Sequence, residues 1–561
     1  MARQHRVVDH IVDCLAAMGV EHLFGVDGAN IEDLYDAAYF RDDITAVLAK
    51  HEFSAATMAD GYSRATARLG VVMATSGGGS LNLVAGLGES LASGVPVLAL
   101  IGQPPMSMDG RGSFQDTSGR NGALDASALF SAVSLSCVRV TSPDGITDAL
   151  DAAIAAALRG GPSVILLPKD IQQSLIDIAA AAPRRISTPT SGDPQPIVRA
   201  LRRARGPVTI IAGEQVARDD ARVELEQLRS MLGARVATVP DAKDVSARPD
   251  LGVTGVMGHP GVAGAVRDSA LCLIVGTRLT VTARAGLDDA LAAVPTISIG
   301  GAAPFVPCTH VRSDDLRKSL SQLAISLSEG LSPRESAPGC IPLRPPAHHG
   351  PGVRYRDAIA ALDRALPDGT DIVVDAGNTG AAAIHNLPVR QDGRFLVALG
   401  MGGMGYSFGA GIGMAFGRNR RTVVIAGDGS FFMHGMEIHT AIQYRLPITF
   451  VLFNNNAHAM CVTREQLFYD GLYSYNRFSP SLLGAGLARM FPSLVSVEVG
   501  SVGDLQAALV HALAVDGPSV VSIACSADEI PPFAPFLAAA QHVSQSVTTP
   551  KGTRTDVTAS A

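Results

Sequence analysis

Tryptophan, paired cysteines, runs of like charge and an uninterrupted apolar leader are all missing from this sequence. Its seven cysteines, at 14, 137, 272, 308, 340, 461 and 525, show no CxxC pair and no metal-finger spacing. That scatter argues against a disulfide framework or a zinc finger and reads as reduced cytosolic thiols. Charged residues make up only 17% of the chain, and the net charge of −7 is spread without runs. With no basic stripe interleaved with aromatics, nucleic acid is not an expected partner. Asp9, His10 and Asp13 interrupt what would be a signal-peptide core, so the N-terminal stretch reads as an amphipathic helix and the protein as cytoplasmic. Phe395 to Gly417 lacks charge for long enough to span a bilayer. Its eight glycines instead predict a glycine loop leading into a tightly packed buried helix, with no membrane involved.

What is abundant is apolar residue, 47% of 561 positions, together with 58 glycines. A chain of this length exceeds one core, and roughly three domains of 150 to 200 residues follow. Two Pro-rich polar stretches, 181 to 196 and 331 to 352, read as linkers. They divide the chain into segments 1–183, 190–332 and 350–540, followed by a polar tail, 541–561, expected to be flexible. In the first segment HLFGV, TAVLAK, GVVMAT, VPVLALIG and SVILLP alternate with helical patterns. DIVVDAG, RTVVIAG, ITFVLFN and SVVSIAC do the same in the third, and VTIIAG, ALCLIVG and VPTISIG in the middle one. The fold class is therefore α/β, with three doubly wound parallel sheets.

One βαβ unit carries chemistry. A strand at 422 to 426 runs into Gly427-Asp428-Gly429-Ser430, a helix is expected at about 433 to 444, and a second strand ends at Phe453 before Asn454-Asn455-Asn456. In a right-handed crossover both strands end on the same sheet edge, which brings Asp428 and Asn455 side by side where such sheets bind ligands. A carboxylate and an amide oxygen beside a phosphate suit magnesium, a hard cation that takes oxygen ligands. The flanking glycines and the helix start favour the phosphate itself.

GDGS followed by NN at this spacing resembles the thiamine diphosphate signature, and AGDGSFFM with LPITFVLFNNN is similar to the acetolactate (acetohydroxyacid) synthase group. The resemblance implies that Asp428, the Asn455 side chain and the backbone oxygen of Ala457 hold Mg2+, with Gly427, Gly429 and Ser430 around the diphosphate. It also implies a second diphosphate turn in Gly377-Asn378-Thr379-Gly380, where the family's Gln-His reads Asn-Thr. The first segment becomes the pyrimidine-binding domain, the third the diphosphate-binding domain, and the middle one a Rossmann-like domain. HEFSAATMADGYSRATARLGVVMATSGGGSLN resembles the stretch with the family's activating glutamate, which makes Glu52 the partner of the aminopyrimidine and places Asn82 at the cofactor. The family's GPG reads Gly77-Gly78-Gly79, and a usual proline is Asp27, which either touches substrate or caps a helix starting near Asn30. By the same resemblance Gly402 offers its carbonyl to the aminopyrimidine and Met404 supports the bent cofactor.

The substrate is less constrained. Phe114-Gln115-Asp116 resembles the synthases' Phe-Gln-Glu, and the first segment lacks the His-His pair common in simple decarboxylases, which favours carboligation and gives Gln115 a catalytic role. About eight residues beyond a direct family match follow this motif. Where the synthases carry a tryptophan, this chain reads Met460-Cys461-Val462-Thr463-Arg464. Met460 is expected at the cofactor, and Arg464 either pairs with an anionic substrate or is a solvated helix residue. His458 and His434 are secondary candidates for moving protons. The middle segment resembles the synthases' FAD-binding stretches, but relatives without flavin share such glycine patterns, so FAD is left open. The implied protein is a carboligase that decarboxylates a 2-oxo acid such as pyruvate and transfers the acyl anion to a second carbonyl. An aldehyde-releasing decarboxylase and a catalytically silent cofactor-binding subunit are the alternatives. A homodimer or homotetramer with sites at the subunit interface is also implied.

Overall fold

The computed structural model describes residues 4–177, 190–246, 250–327, 340–472 and 474–547. Much of both expected linkers lies outside the described residues. The last helix, Ala534–Val547, runs into the expected tail, whose remainder, 548–561, is also outside them.

Three six-stranded parallel sheets carry the chain. The first is built from His22–Val26, Thr45–Leu48, Gly70–Ala74, Val97–Gln103, Ser136–Arg139 and Pro162–Pro168, arranged in space as 2-1-3-4-6-5. The third uses Asp371–Val374, Phe395–Val397, Thr422–Gly427, Ile448–Asn454, Val495–Val499 and Ser519–Ala524 in the same order. The central sheet, which begins at Val208–Ala212, runs 3-2-1-4-5-6, the order of dinucleotide-binding folds. Inner strands such as Val97–Gln103 and Ile448–Asn454 are buried at every position. That is why they read as continuous apolar runs rather than alternating ones. The N-terminal helix, Val7–Ala17, buries Val8, Ile11, Val12 and Leu15 as its pattern predicts.

The first and third sheets share one hydrophobic core. At its centre the helix Glu52–Thr66 lies against the helix Tyr406–Arg418, each following the second strand of its sheet. A Cβ at Gly61 would overlap the Ala410 backbone, and one at Gly413 the carbonyl of Met58. The charge-free stretch is thus a glycine loop and a buried helix, as expected, and no described helix is long and apolar enough to cross a membrane.

Candidate active site

The third sheet's edge assembles the expected metal ligands. Strands Thr422–Gly427 and Ile448–Asn454 are hydrogen-bonded neighbours, which places Asp428 beside the three asparagines. The helix starts at Asp428 rather than near 433 and breaks into a 3-10 turn at Gly435–Glu437. Asp428 is 1% exposed, and its carboxylate accepts from the backbone N–H of Gly429 at 3.0 Å and of Ala457 at 3.1 Å. Burial pushes the Asp428 carboxyl up to about 6 against the pull of those N–H groups.

The three asparagines divide their work. Asn454 donates to the carbonyl of Ser481, while Asn456, at φ 53°, accepts from the Ser481 N–H. Asn455 donates to the Tyr355 hydroxyl at 3.4 Å, which leaves its buried Oδ1 with no partner. The short ladder that follows uses the Asn456 carbonyl and the His458 N–H, so its bonds flank Ala457. A buried carboxylate short of positive charge, an orphaned amide oxygen and a carbonyl outside the ladder fit a hard divalent cation. Such a set differs from a His/Cys/Asp/Glu cage, and among the described residues no three or more of those side chains are grouped so as to hold a metal ion.

Asp375, which sequence reasoning passed over, ties the surrounding loops together. It accepts from Ser430 Oγ at 2.6 Å and from the N–H groups of Gly405 at 3.0 Å and Ser407 at 2.9 Å. One carboxylate thus fixes the GDGS turn, the glycine loop and its own strand end. The turn after Asp375 holds Gly377 at φ 99°, and Asn378 and Thr379 are buried at the start of the helix Asn378–Asn386. Asn378 donates to Thr463 Oγ1 at 3.1 Å, and its own Oδ1 has no partner. Gly402 has φ 67°, exposed beside half-buried Met404.

Glu52 opens its helix at the first sheet's edge and is 9% exposed. Asn82 donates to its Oε2 at 2.9 Å, and a Cβ at Gly79 would come within 2.9 Å of its Oε1. Gln115, at φ 61°, packs on Gly77 and accepts from Ser76 Oγ at 3.2 Å. Phe114 beside it is 79% exposed. The extra residues after this motif close a small turn, in which Asp125 caps the helix Ala126–Ser131. Asp27 does not cap the next helix: that helix is Glu32–Tyr39, has Ile31 at its cap, and Asp27 accepts only from its neighbour Gly28. The short loop leaves its carboxylate exposed.

The remaining candidates separate. Met460 is half-buried on the helix Ala459–Phe468. Arg464 sits on the exposed face of that helix with its guanidinium 5.9 Å from the Phe468 ring centroid. His458 packs on Gly429 of the GDGS turn, its buried Nδ1 without a partner. His434 lies against Gly405 of the glycine loop, where an added Cβ would come within 2.6 Å of its ring, and stacks on Phe53 at 4.3 Å, next to His51 at 5.0 Å. Burial and the neighbouring His51 push His434 down to about 4. At the central sheet's edge, burial pushes Glu214 up to about 7, and Asp241 adds a like charge. Both line a cavity with Arg278.

An α/β fold with a buried carboxylate and an orphaned amide oxygen on a glycine-lined edge of one sheet, and a buried glutamate at the edge of another, is the class these features define. Residues 5–129 match the N-terminal TPP binding domain of thiamine pyrophosphate enzymes, 195–301 their central domain and 375–523 their C-terminal TPP binding domain. The chain belongs to this family of thiamine diphosphate-dependent enzymes, which act on carbon–carbon bonds, and within it to the acetolactate synthase-like group. It is 30% identical to the probable acetolactate synthase large subunit of Methanocaldococcus jannaschii, covering 82% of each chain. It is 28% identical to the acetolactate synthase isozyme 2 large subunit of Escherichia coli, over 93% of this chain and 95% of that one. Among solved structures, benzoylformate decarboxylase from Polynucleobacter necessarius shares the fold, with a TM-score of 0.80 at 19% identity over 94% of this chain and 100% of that one.

Proposed function

We propose that this protein is a thiamine diphosphate- and Mg2+-dependent carboligase that decarboxylates a 2-oxo acid such as pyruvate and joins the acyl fragment to a second carbonyl compound. The observation that carries the cofactor reading is the pairing of buried Asp428 with the orphaned Oδ1 of Asn455 next to Ala457. These three groups would hold Mg2+, with Gly377, Asn378, Thr379 and the GDGS turn around the diphosphate. Thiamine diphosphate, when bound, supplies the nucleophilic carbon and electron sink that a 2-oxo acid needs to lose carbon dioxide.

The chain's own residues supply the rest. Glu52, largely buried and oriented by Asn82, would exchange a proton with the aminopyrimidine nitrogen. The Gly402 carbonyl and Met404 orient the ring. Gln115, held at Gly77 beside the Glu52 loop, is placed to steer an acceptor. The similarity to acetolactate synthases along nearly the whole chain supports carboligation. Large apolar side chains left uncovered near the site, among them Phe432, Met433, Leu482 and Tyr475, support a homodimer or homotetramer whose sites lie between subunits.

Product analysis after feeding pyruvate with candidate acceptors tests this reading. An acetohydroxy acid or acyloin is the expected product; acetaldehyde alone would establish a decarboxylase instead.

A further inference from the structure

The glycine loop that the reading above assigns to the aminopyrimidine is gripped from the first domain. Glu89, 3% exposed on the helix Val84–Ser93, accepts from three consecutive backbone N–H groups. Gly400 donates to Oε1 at 3.1 Å, and Met401 and Gly402 donate to Oε2 at 2.6 and 3.3 Å. Ser93 Oγ and Arg64 Nη2 complete the shell on Oε1 at 2.7 and 3.1 Å. A Cβ at Gly400 would come within 2.8 Å of Ala92 Cβ and Ser93 Oγ, so only glycine lets the loop approach. Burial alone would raise the Glu89 carboxyl, but Arg64 and the donors outweigh it and hold it below the ordinary range.

Arg64 extends this grip to the other catalytic element. It lies in the last turn of the helix that begins at Glu52 and pairs with Asp60 at 2.7 Å as well as with Glu89. Asp60 in turn accepts from Tyr406 at 2.5 Å, at the start of the helix behind the glycine loop. Charge-assisted bonds of this kind are the strong ones, and these are shielded from water.

We propose that Glu89 is a positioning residue that sets the loop Gly400–Gly402 against the cofactor and, through Arg64, ties its placement to the helix carrying Glu52. The proposal rests on the cofactor reading above. None of Glu89's bonds involves the diphosphate loops, so it acts on ring orientation and leaves cofactor retention to Asp428 and Asn455.

Two measurements on the full-length protein test this. Amide hydrogen exchange, read by mass spectrometry without cofactor, should show segment 398–405 protected in the wild type and exchanging at least about tenfold faster in Glu89→Gln. In the holoenzyme, exchange of the thiamine C2 proton followed by NMR should slow by about tenfold or more in Glu89→Gln, with Mg2+-dependent affinity kept within about threefold, because a small misplacement costs chemistry before binding. Glu89→Asp should recover part of both signals. Unchanged loop protection, or wild-type C2 exchange despite a loosened loop, would overturn the proposal. A wild-type protein that protects the loop but never exchanges the C2 proton would refute the cofactor reading itself. If Glu89→Gln does not fold, Ser93→Ala removes one donor to Oε1 and should move both signals by about two- to threefold; no movement there also overturns the proposal.

Discussion

The first and third sheets have the same strand order, yet their ligand edges differ in kind. After the first strand, Val26-Asp27 in one matches Val374-Asp375 in the other, with an asparagine three positions on in each, Asn30 and Asn378. Asp375 is 1% exposed and binds two neighbouring loops, whereas Asp27 is exposed and bonds only to Gly28. After the third strand, one edge presents Asp428 and the other Thr75. One topology therefore supports two arrangements: an edge knitted by buried carboxylates, and an open, glycine-rich edge that leaves Glu52 beside Gly79.

Substitutions at matched positions should break this comparison where it is strongest. Asp428→Ala should abolish Mg2+-dependent thiamine diphosphate binding, weakening affinity by more than about a hundredfold in calorimetry, while Thr75→Ala leaves it nearly intact. Glu52→Gln should cut turnover by about 100- to 10,000-fold, with cofactor affinity in the same titration little changed. Asp375→Asn should weaken affinity by about tenfold and lower the melting temperature, since buried N–H donors lose a charged acceptor. Asp27→Asn should leave both unmoved, and any effect should fall on KM.

Smaller effects probe the junction between the sheets. Gly61→Ala should destabilise by about 2 kcal/mol in urea unfolding, because overpacking forces the helices apart. His434 is pushed from 6.5 down to about 4, so its neutral form stabilises the fold. That contribution is complete above pH 6.5 and is lost as pH falls toward 4. His434→Phe should flatten the stability profile across that window.

The sequence made legible whatever local spacing encodes. Asp428 and Asn455 share an edge because a βαβ crossover leaves no other arrangement, and Glu52 follows directly from a strand into a helix. Asp375 and Glu89 escaped notice because their partners lie far away in sequence, in Glu89's case more than 300 positions. The signal that would have found Asp375 is its matching place beside Asn378 at a strand end. The helix after Asp428 was expected too late because glycine disfavours helix locally, whereas the Ser430 bond to Asp375 holds that first turn. Asp27 suggests a cap by residue type, but the helix begins at Glu32 rather than near Asn30, and the Asp27 carboxylate bonds to the Gly28 N–H instead.

The backbone contact between the helices Glu52–Thr66 and Tyr406–Arg418 has a mechanical consequence. Two helices touching without intervening side chains leave no room for a larger residue, so the packing of one outer sheet on the other tolerates no added volume at Gly61 or Gly413. Tolerance of side-chain change is left to exposed positions away from that contact, such as Phe114 and Arg464. Changes at those exposed positions alter what surrounds the two sheet edges while leaving the helix contact untouched.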